Sequence, residues 1–331
     1  MTSWRTIRPT FGWSFTRDRM LRSCPRRYYY HYHLAPTGTR RDAVAQARKA
    51  YVLKHLTSLD LVLGLAVHHA ALVLARAIRA GRPQPPVNSL WIGVRDALNG
   101  ACAASRRLPL FLQGPERSTM LREIYYEGAL ERRTIERIRE KAVACLKNLM
   151  EATVWDAVRG LRPEELQIMD TPLQFRVGTL VAWAAPDLVY RTAGGDPIVL
   201  DWKTGRKNPS AEAEQVSVYG LFLRTSQPTT RPSGLRAALV YLRSGEEEFY
   251  HLTGDCLASA EARIHEGTEA MRRCQDLVDE LGPDAVDHFP LTDHRALCPR
   301  CNFFELCADT LRESIPGCVP PLQAPVEPGP A

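Results

Sequence analysis

The sequence predicts an α/β protein, and three observations carry that prediction. Apolar, β-branched-rich runs from Gly178 to Tyr190 and from Ile198 to Lys203 read as strands, joined by the hairpin signal Gly194-Gly195-Asp196-Pro197. Helical periodicity occupies Leu61 to Gly81, Met120 to Arg159 and Ala211 to Arg224. A further strand, Leu235 to Leu242, precedes a long helix from Asp255 to Leu281. With 331 residues, 45% hydrophobic and 24% charged, the chain suits two domains or one large α/β domain with insertions.

The net charge of +6, with arginine far outnumbering lysine, suits phosphate contacts but is weak evidence for a nucleic-acid partner. The start, Met1-Thr2-Ser3-Trp4-Arg5, has no apolar leader. The most apolar stretch, Leu59 to Ile78, carries His68 and His69 at its centre and reads as a buried helix rather than a membrane span. Nine cysteines without a leader point to thiols or metal ligands rather than disulfides. The expected compartment is the cytoplasm, with no membrane partner.

In chain order, Ser14 or Thr16 can cap a short helix that brings Cys24 to its far end. Arg17, Arg26, Arg27 and Tyr28 then form a basic and aromatic cluster of the kind that grips a phosphate backbone. On the next helix Leu61, Leu65, His68, Leu72 and Ala75 share one stripe, which turns His68 inward, and Gly64 permits a close approach four positions earlier. Residues 84–165 read as a helical insertion on the α/β core, its Glu- and Arg-rich face solvated and Leu121, Ile124, Ile135, Ile138, Val143, Leu146 and Leu149 at apolar spacing. Glu248 to Leu252 can pair with the 235–242 strand across Ser244-Gly245. Asp255 is the expected cap of the following helix, Gly282-Pro283 its stop. Residues 316–331 are Pro-rich and read as a disordered tail. The expected division is therefore 1–83, 84–165, 166–315 and the tail.

The chemistry concentrates at Pro186-Asp187 and Asp201-Trp202-Lys203. Alternation along a strand points Asp201 and Lys203 to one side and Trp202 to the other. Asp187 from the neighbouring strand completes an acidic pair. Two carboxylates in a partly apolar pocket must be neutralised by protons or a cation, and oxygen ligands select Mg²⁺ or Mn²⁺. Lys203 would orient a water or stabilise developing charge. Gln215 and Tyr219, four apart, share a helix face beside the pair. A second constellation, Cys298-x2-Cys301-x5-Cys307, needs a fourth ligand: Cys24 is the outlying candidate and Cys318 the fallback. Zinc and iron–sulfur both accept four thiolates; ligand chemistry alone favours zinc. Cys102, Cys145, Cys256 and Cys274 read as small hydrophobes.

Together, Gly64…His68, Pro186-Asp187, Asp201-Trp202-Lys203, Gln215…Tyr219 and the four cysteines resemble the PD-(D/E)XK nucleases, in particular the RecB-type branch with an iron–sulfur staple, which includes CRISPR-associated Fe–S exonucleases and the AddB nuclease domain. The resemblance covers about residues 11–310. It implies a restriction-endonuclease-like core, a central mixed sheet flanked by helices, with an Fe–S cluster joining the N- and C-terminal segments. It implies His68, Asp187 and Asp201 as metal ligands, Lys203 as the catalytic lysine, and Gln215 and Tyr219 beside the substrate. It shifts the cysteine reading to a [4Fe–4S] cluster on Cys24, Cys298, Cys301 and Cys307. The expected activity is a Mg²⁺- or Mn²⁺-dependent DNase acting on single strands or ends, in repair, recombination or phage defence. No G-x-x-x-x-G-K-[ST] run is present, so unwinding would fall to a helicase or other partner in trans. The alternatives are a nucleic-acid-binding scaffold subunit with a vestigial site and a zinc-stabilised regulatory protein.

Overall fold

A computed structural model describes residues 12–168, 171–192, 194–226 and 234–314. The Pro-rich tail and Cys318 lie outside the described residues. The N-terminal segment forms β1 (Trp13–Ser14), α1 (Phe15–Ser23), α2 (Pro25–Tyr29), α3 (Ala45–Lys54), β2 (Leu56–Thr57) and α4 (Leu59–Arg79). Residues 84–165 hold α5 (Val87–Ser105), α6 (Leu108–Gln113), β3 (Met120–Leu121), α7 (Arg122–Glu127), α8 (Arg132–Glu151) and α9 (Val154–Arg159). The rest alternates: β4 (Leu166–Ile168), β5 (Leu173–Val177), β6 (Leu180–Ala184), β7 (Leu188–Arg191), β8 (Pro197–Lys203), α10 (Pro209–Ser226), β9 (Arg236–Tyr241), β10 (Glu246–His251), α11 (Gly254–Leu281) and α12 (Phe304–Ser314).

The central sheet is mixed and five-stranded, in the order β10-β9-β8-β7-β4. β7 and β8 are antiparallel through the expected hairpin, where Gly195 takes a φ of +84°. That left-handed conformation is open to glycine without strain. β8 and β9 run parallel, so a crossover must join them, and α10 is that crossover. β9 and β10 pair as expected.

β8 is buried on both faces and separates two apolar cores. Ile198, Leu200 and Trp202 face α4, α8 and α9, with Trp202 tilted against Trp155 at 5.1 Å between ring centroids. Val199 faces Val216, Tyr219 and Leu223 of α10. Residues 84–165 are mostly helical and do not form an appendage. Leu90, Val94, Ile138, Ala142, Leu146 and Leu149 share one core with α4 and the sheet.

Four expectations are corrected. The run Gly178 to Tyr190 is not one strand: Pro186 interrupts it, and β6 leaves for a separate sheet of order β1-β6-β5 while β7 joins the central one. On α4 the buried stripe is Leu59, Leu63, Val67, Ala70 and Leu74, whereas Leu61 and Leu65 are exposed. A helix apolar on nearly every side offers several equivalent stripes, and packing chooses among them. Ile135 and Val143 of α8 are exposed for the related reason that Ala142 and Cys145 hold the buried positions. Thr253, not Asp255, caps α11, accepting from the Cys256 backbone N–H. α4 is the one described helix long and apolar enough to cross a membrane, and its buried stripe is spent on the core.

Candidate active site

The site is assembled where β7 begins and β8 ends. Asp187 directly precedes β7, and its backbone N–H donates to the Leu200 carbonyl at 3.1 Å. That register places the Asp187 carboxylate beside Asp201, one residue further along β8. Asp187 Oδ2 accepts from the backbone N–H of Trp202 at 2.7 Å, and its Oδ1 meets His68 Nδ1 at 2.9 Å. Against an ionised carboxylate Nδ1 is the donor.

Asp201 and Lys203 project to the same side of β8, as alternation requires. Lys203 Nζ lies 2.7 Å from Asp201 Oδ2 and donates to Gln215 Oε1 at 2.6 Å. Gln215 Nε2 donates to the Tyr219 hydroxyl at 2.7 Å, and that hydroxyl lies 2.9 Å from Asp201 Oδ1 and 3.1 Å from the Ala185 carbonyl. The side chains of Asp201, Lys203, Gln215 and Tyr219 thus form one connected set, and Asp187, held by the Trp202 amide, stands beside it. His68 completes it from α4.

The electrostatics follow from burial. Desolvation raises the Asp201 carboxyl above the ordinary range, and the Asp187 charge adds to this against the pull of Lys203. Burial, then the two carboxylates, push the Tyr219 phenol far up, so it stays a neutral hydrogen-bonding group. Burial alone would lower the His68 imidazole, but its bond to Asp187 and the two carboxylate charges outweigh that and raise it. Gly64 lets α4 pass close to the end of β8: a Cβ there would stand 3.2 Å from Thr204 Oγ1, immediately after Lys203.

The cysteines are brought together as well. Cys24, Cys298, Cys301 and Cys307 line one pocket of about 200 Å³, with Tyr30, Phe303 and Phe304 in its walls. None is in a disulfide. Burial, with Cys301 and Cys24 nearby, pushes the Cys307 thiol up to about 12. Among the described residues no three His, Cys, Asp or Glu side chains already stand as a closed metal-binding group.

The proposed nucleic-acid contacts are largely corrected. Arg17 and Tyr28 are interior: Arg17 Nε donates to the Tyr28 hydroxyl at 3.1 Å, and Tyr28 is fully buried. A guanidinium satisfied by phenols, with its plane 4.6 Å from the Tyr32 ring centroid, belongs to the core. Arg26 is half-buried and donates to the Phe289 carbonyl at 2.6 Å, fastening α2 to the C-terminal segment. Of Arg17, Arg26 and Arg27, only Arg27 is exposed, at the rim of the cysteine pocket. Sequence reasoning did not single out the Trp202 amide or the Ala185 carbonyl, since backbone groups carry no residue signal.

A carboxylate pair and a lysine on adjoining strands of a mixed sheet, capped by a helix between parallel strands, define a class of phosphodiesterase fold. The chain belongs to the PD-(D/E)XK nuclease superfamily, whose model matches residues 12–308, and membership gives it a nuclease-type function. No curated protein matches the chain. Among solved structures, SSO0001 is similar over 56% of this chain and 79% of its own, at 16% identity and a TM-score of 0.29, which is too slight a likeness to carry an argument.

Proposed function

We propose that this protein is a divalent-metal-dependent deoxyribonuclease acting on single strands or strand ends. The observation that carries the reading is the convergence of Asp187, Asp201 and Lys203 where β7 begins and β8 ends. The donors fit a hard cation: the Asp187 and Asp201 carboxylates adjoin where β7 begins and β8 ends, and His68 stands 2.9 Å from Asp187. His68, Asp187 and Asp201 would hold Mg²⁺ or Mn²⁺, which when bound supplies Lewis acidity toward a phosphoryl oxygen and a water of lowered pKa.

The chain's own residues do the rest. The Trp202 amide aims the Asp187 carboxylate, so its direction is fixed by β8 itself. Asp201 and Gln215 hold Lys203 Nζ from two sides, presenting its charge to a phosphate oxygen with little freedom left to lose. Tyr219 fixes both Gln215 and Asp201, and Trp202 beneath seals the far face of the strand from water.

We also propose that the four cysteines carry a [4Fe–4S] cluster. What supports this reading is that Cys24, Cys298, Cys301 and Cys307 line one pocket, since four thiolates are the ligand set such a cluster takes. Such a cluster would staple α2 to α12, and no step of hydrolysis passes through it.

The test is cleavage of end-labelled and circular single-stranded DNA with Mn²⁺ or EDTA. Expected are metal-dependent products from wild type and none from Asp187→Ala or Lys203→Ala. Full cleavage by a clean Lys203→Ala preparation would sink the assignment.

A further inference from the structure

The stripe Leu61, Leu65, His68 is a real stripe, but it is an open one. At about 100° per residue these three lie within roughly 60° of one another around α4. Leu61 is 54% and Leu65 64% exposed, the latter the most exposed large apolar side chain among the described residues. Nothing in the core explains two leucines held in solvent one and two turns from His68.

We propose that the Leu61–Leu65 ridge, with Arg206 on the adjoining loop, is the surface on which the bases of a single-stranded nucleic acid rest as the strand enters the site. The inference rests on the nuclease reading above and names the surface that would hold its strand. Continuity is the first argument. Leu65 and Leu61 stand about 4.5 and 10.5 Å from His68 along the helix axis, a length that one to three stacked nucleotides span at about 3.4 Å each. Leucine is among the apolar side chains that wedge between base steps, and an unpaired strand offers base faces without the cost of unstacking a duplex.

Charge is the second argument. The loop after Lys203 passes α4 at the Gly64–Thr204 contact, and Arg206 follows two residues on, exposed. Among the described residues Arg206 has no hydrogen bond or ion pair, while its neighbour Lys207 is tied to Glu246 and Glu248. A free guanidinium on an anchored loop suits a backbone phosphate. Asp60, next to Leu61, is paired with Arg137 at 2.9 Å and Lys141 at 2.7 Å, so its charge is offset.

The experiment is fluorescence anisotropy with a labelled single-stranded oligonucleotide and its duplex, in EDTA, at several salt concentrations. Leu61→Ser/Leu65→Ser should weaken single-strand binding about tenfold and leave duplex binding and Tm unchanged. Arg206→Ala should lower the slope of log affinity against log salt by about one. Equal single-strand affinity of wild type and the double-serine variant overturns the ridge alone. A wild-type protein that binds no oligonucleotide overturns the site reading and the ridge with it. Loss of a co-purifying protein with single-strand affinity intact makes the ridge a protein-docking face and also overturns the proposal.

Discussion

Asp187 and Trp202 are joined by a 2.7 Å hydrogen bond from the Trp202 amide to Asp187 Oδ2, so the first carboxylate is aimed by the strand that carries the second. Asp187→Asn keeps an oxygen for that amide and removes the charge. Expected is an unchanged Tm with cleavage of labelled single-stranded DNA lowered by at least roughly 100-fold. Retained cleavage would show that the charge is not needed.

Gln215 is the link between Lys203 and Tyr219. Gln215→Ala should leave oligonucleotide affinity near wild type and lower the rate at saturating substrate by roughly tenfold, since Lys203 keeps one of its two anchors. A change in KM alone would place Gln215 in binding instead.

Gly64 has opposite local and functional effects. Gly64→Ala improves helix propensity by about 1 kcal/mol, yet its Cβ crowds Thr204 Oγ1 beside Lys203. The variant should melt higher and cleave more slowly. Adding Thr204→Ala, which removes the oxygen, should restore the rate, and a double-mutant cycle showing no coupling would exclude the contact.

His33 sets a pH dependence of stability. Burial lowers it from 6.5 to about 4, and its Nε2 is buried without a partner in the described structure. The folded form binds its proton later than the unfolded one as pH falls. Its contribution is therefore complete above pH 6.5 and is lost as pH drops toward 4, by roughly 3 kcal/mol in all. Urea midpoints should fall through that window, and His33→Phe should reduce the fall, the remainder coming from His31, which burial lowers to about 3.

Cys24 tests the staple. Cys24→Ser should yield protein with less iron and sulfide, weaker visible absorption and a lower Tm, while wild type is brown. Zinc in place of iron in anaerobically purified wild type would return the cysteines to the reading that ligand chemistry alone favours.

What sequence made legible was local. The β7–β8 hairpin, the shared side of Asp201 and Lys203, and the Gln215–Tyr219 pair each follow from spacing along one element. What it hid depended on partners from elsewhere. Arg17 looks like a surface cation until Tyr28 and Tyr32 are seen around it, and α4 has no preferred stripe until α5, α8 and the sheet select one. The switch of β6 into a second sheet depends on β1, which arrives from the far end of the chain.

That last pairing has a consequence for synthesis. Trp13 and Ser14 hydrogen-bond beside Ala182 and Trp183, and Arg26 waits for Phe289. On the ribosome the first two helices therefore emerge long before their neighbours exist. A nascent chain halted between α9 and β6 should carry that segment open to protease, and only the final stretch of translation closes it.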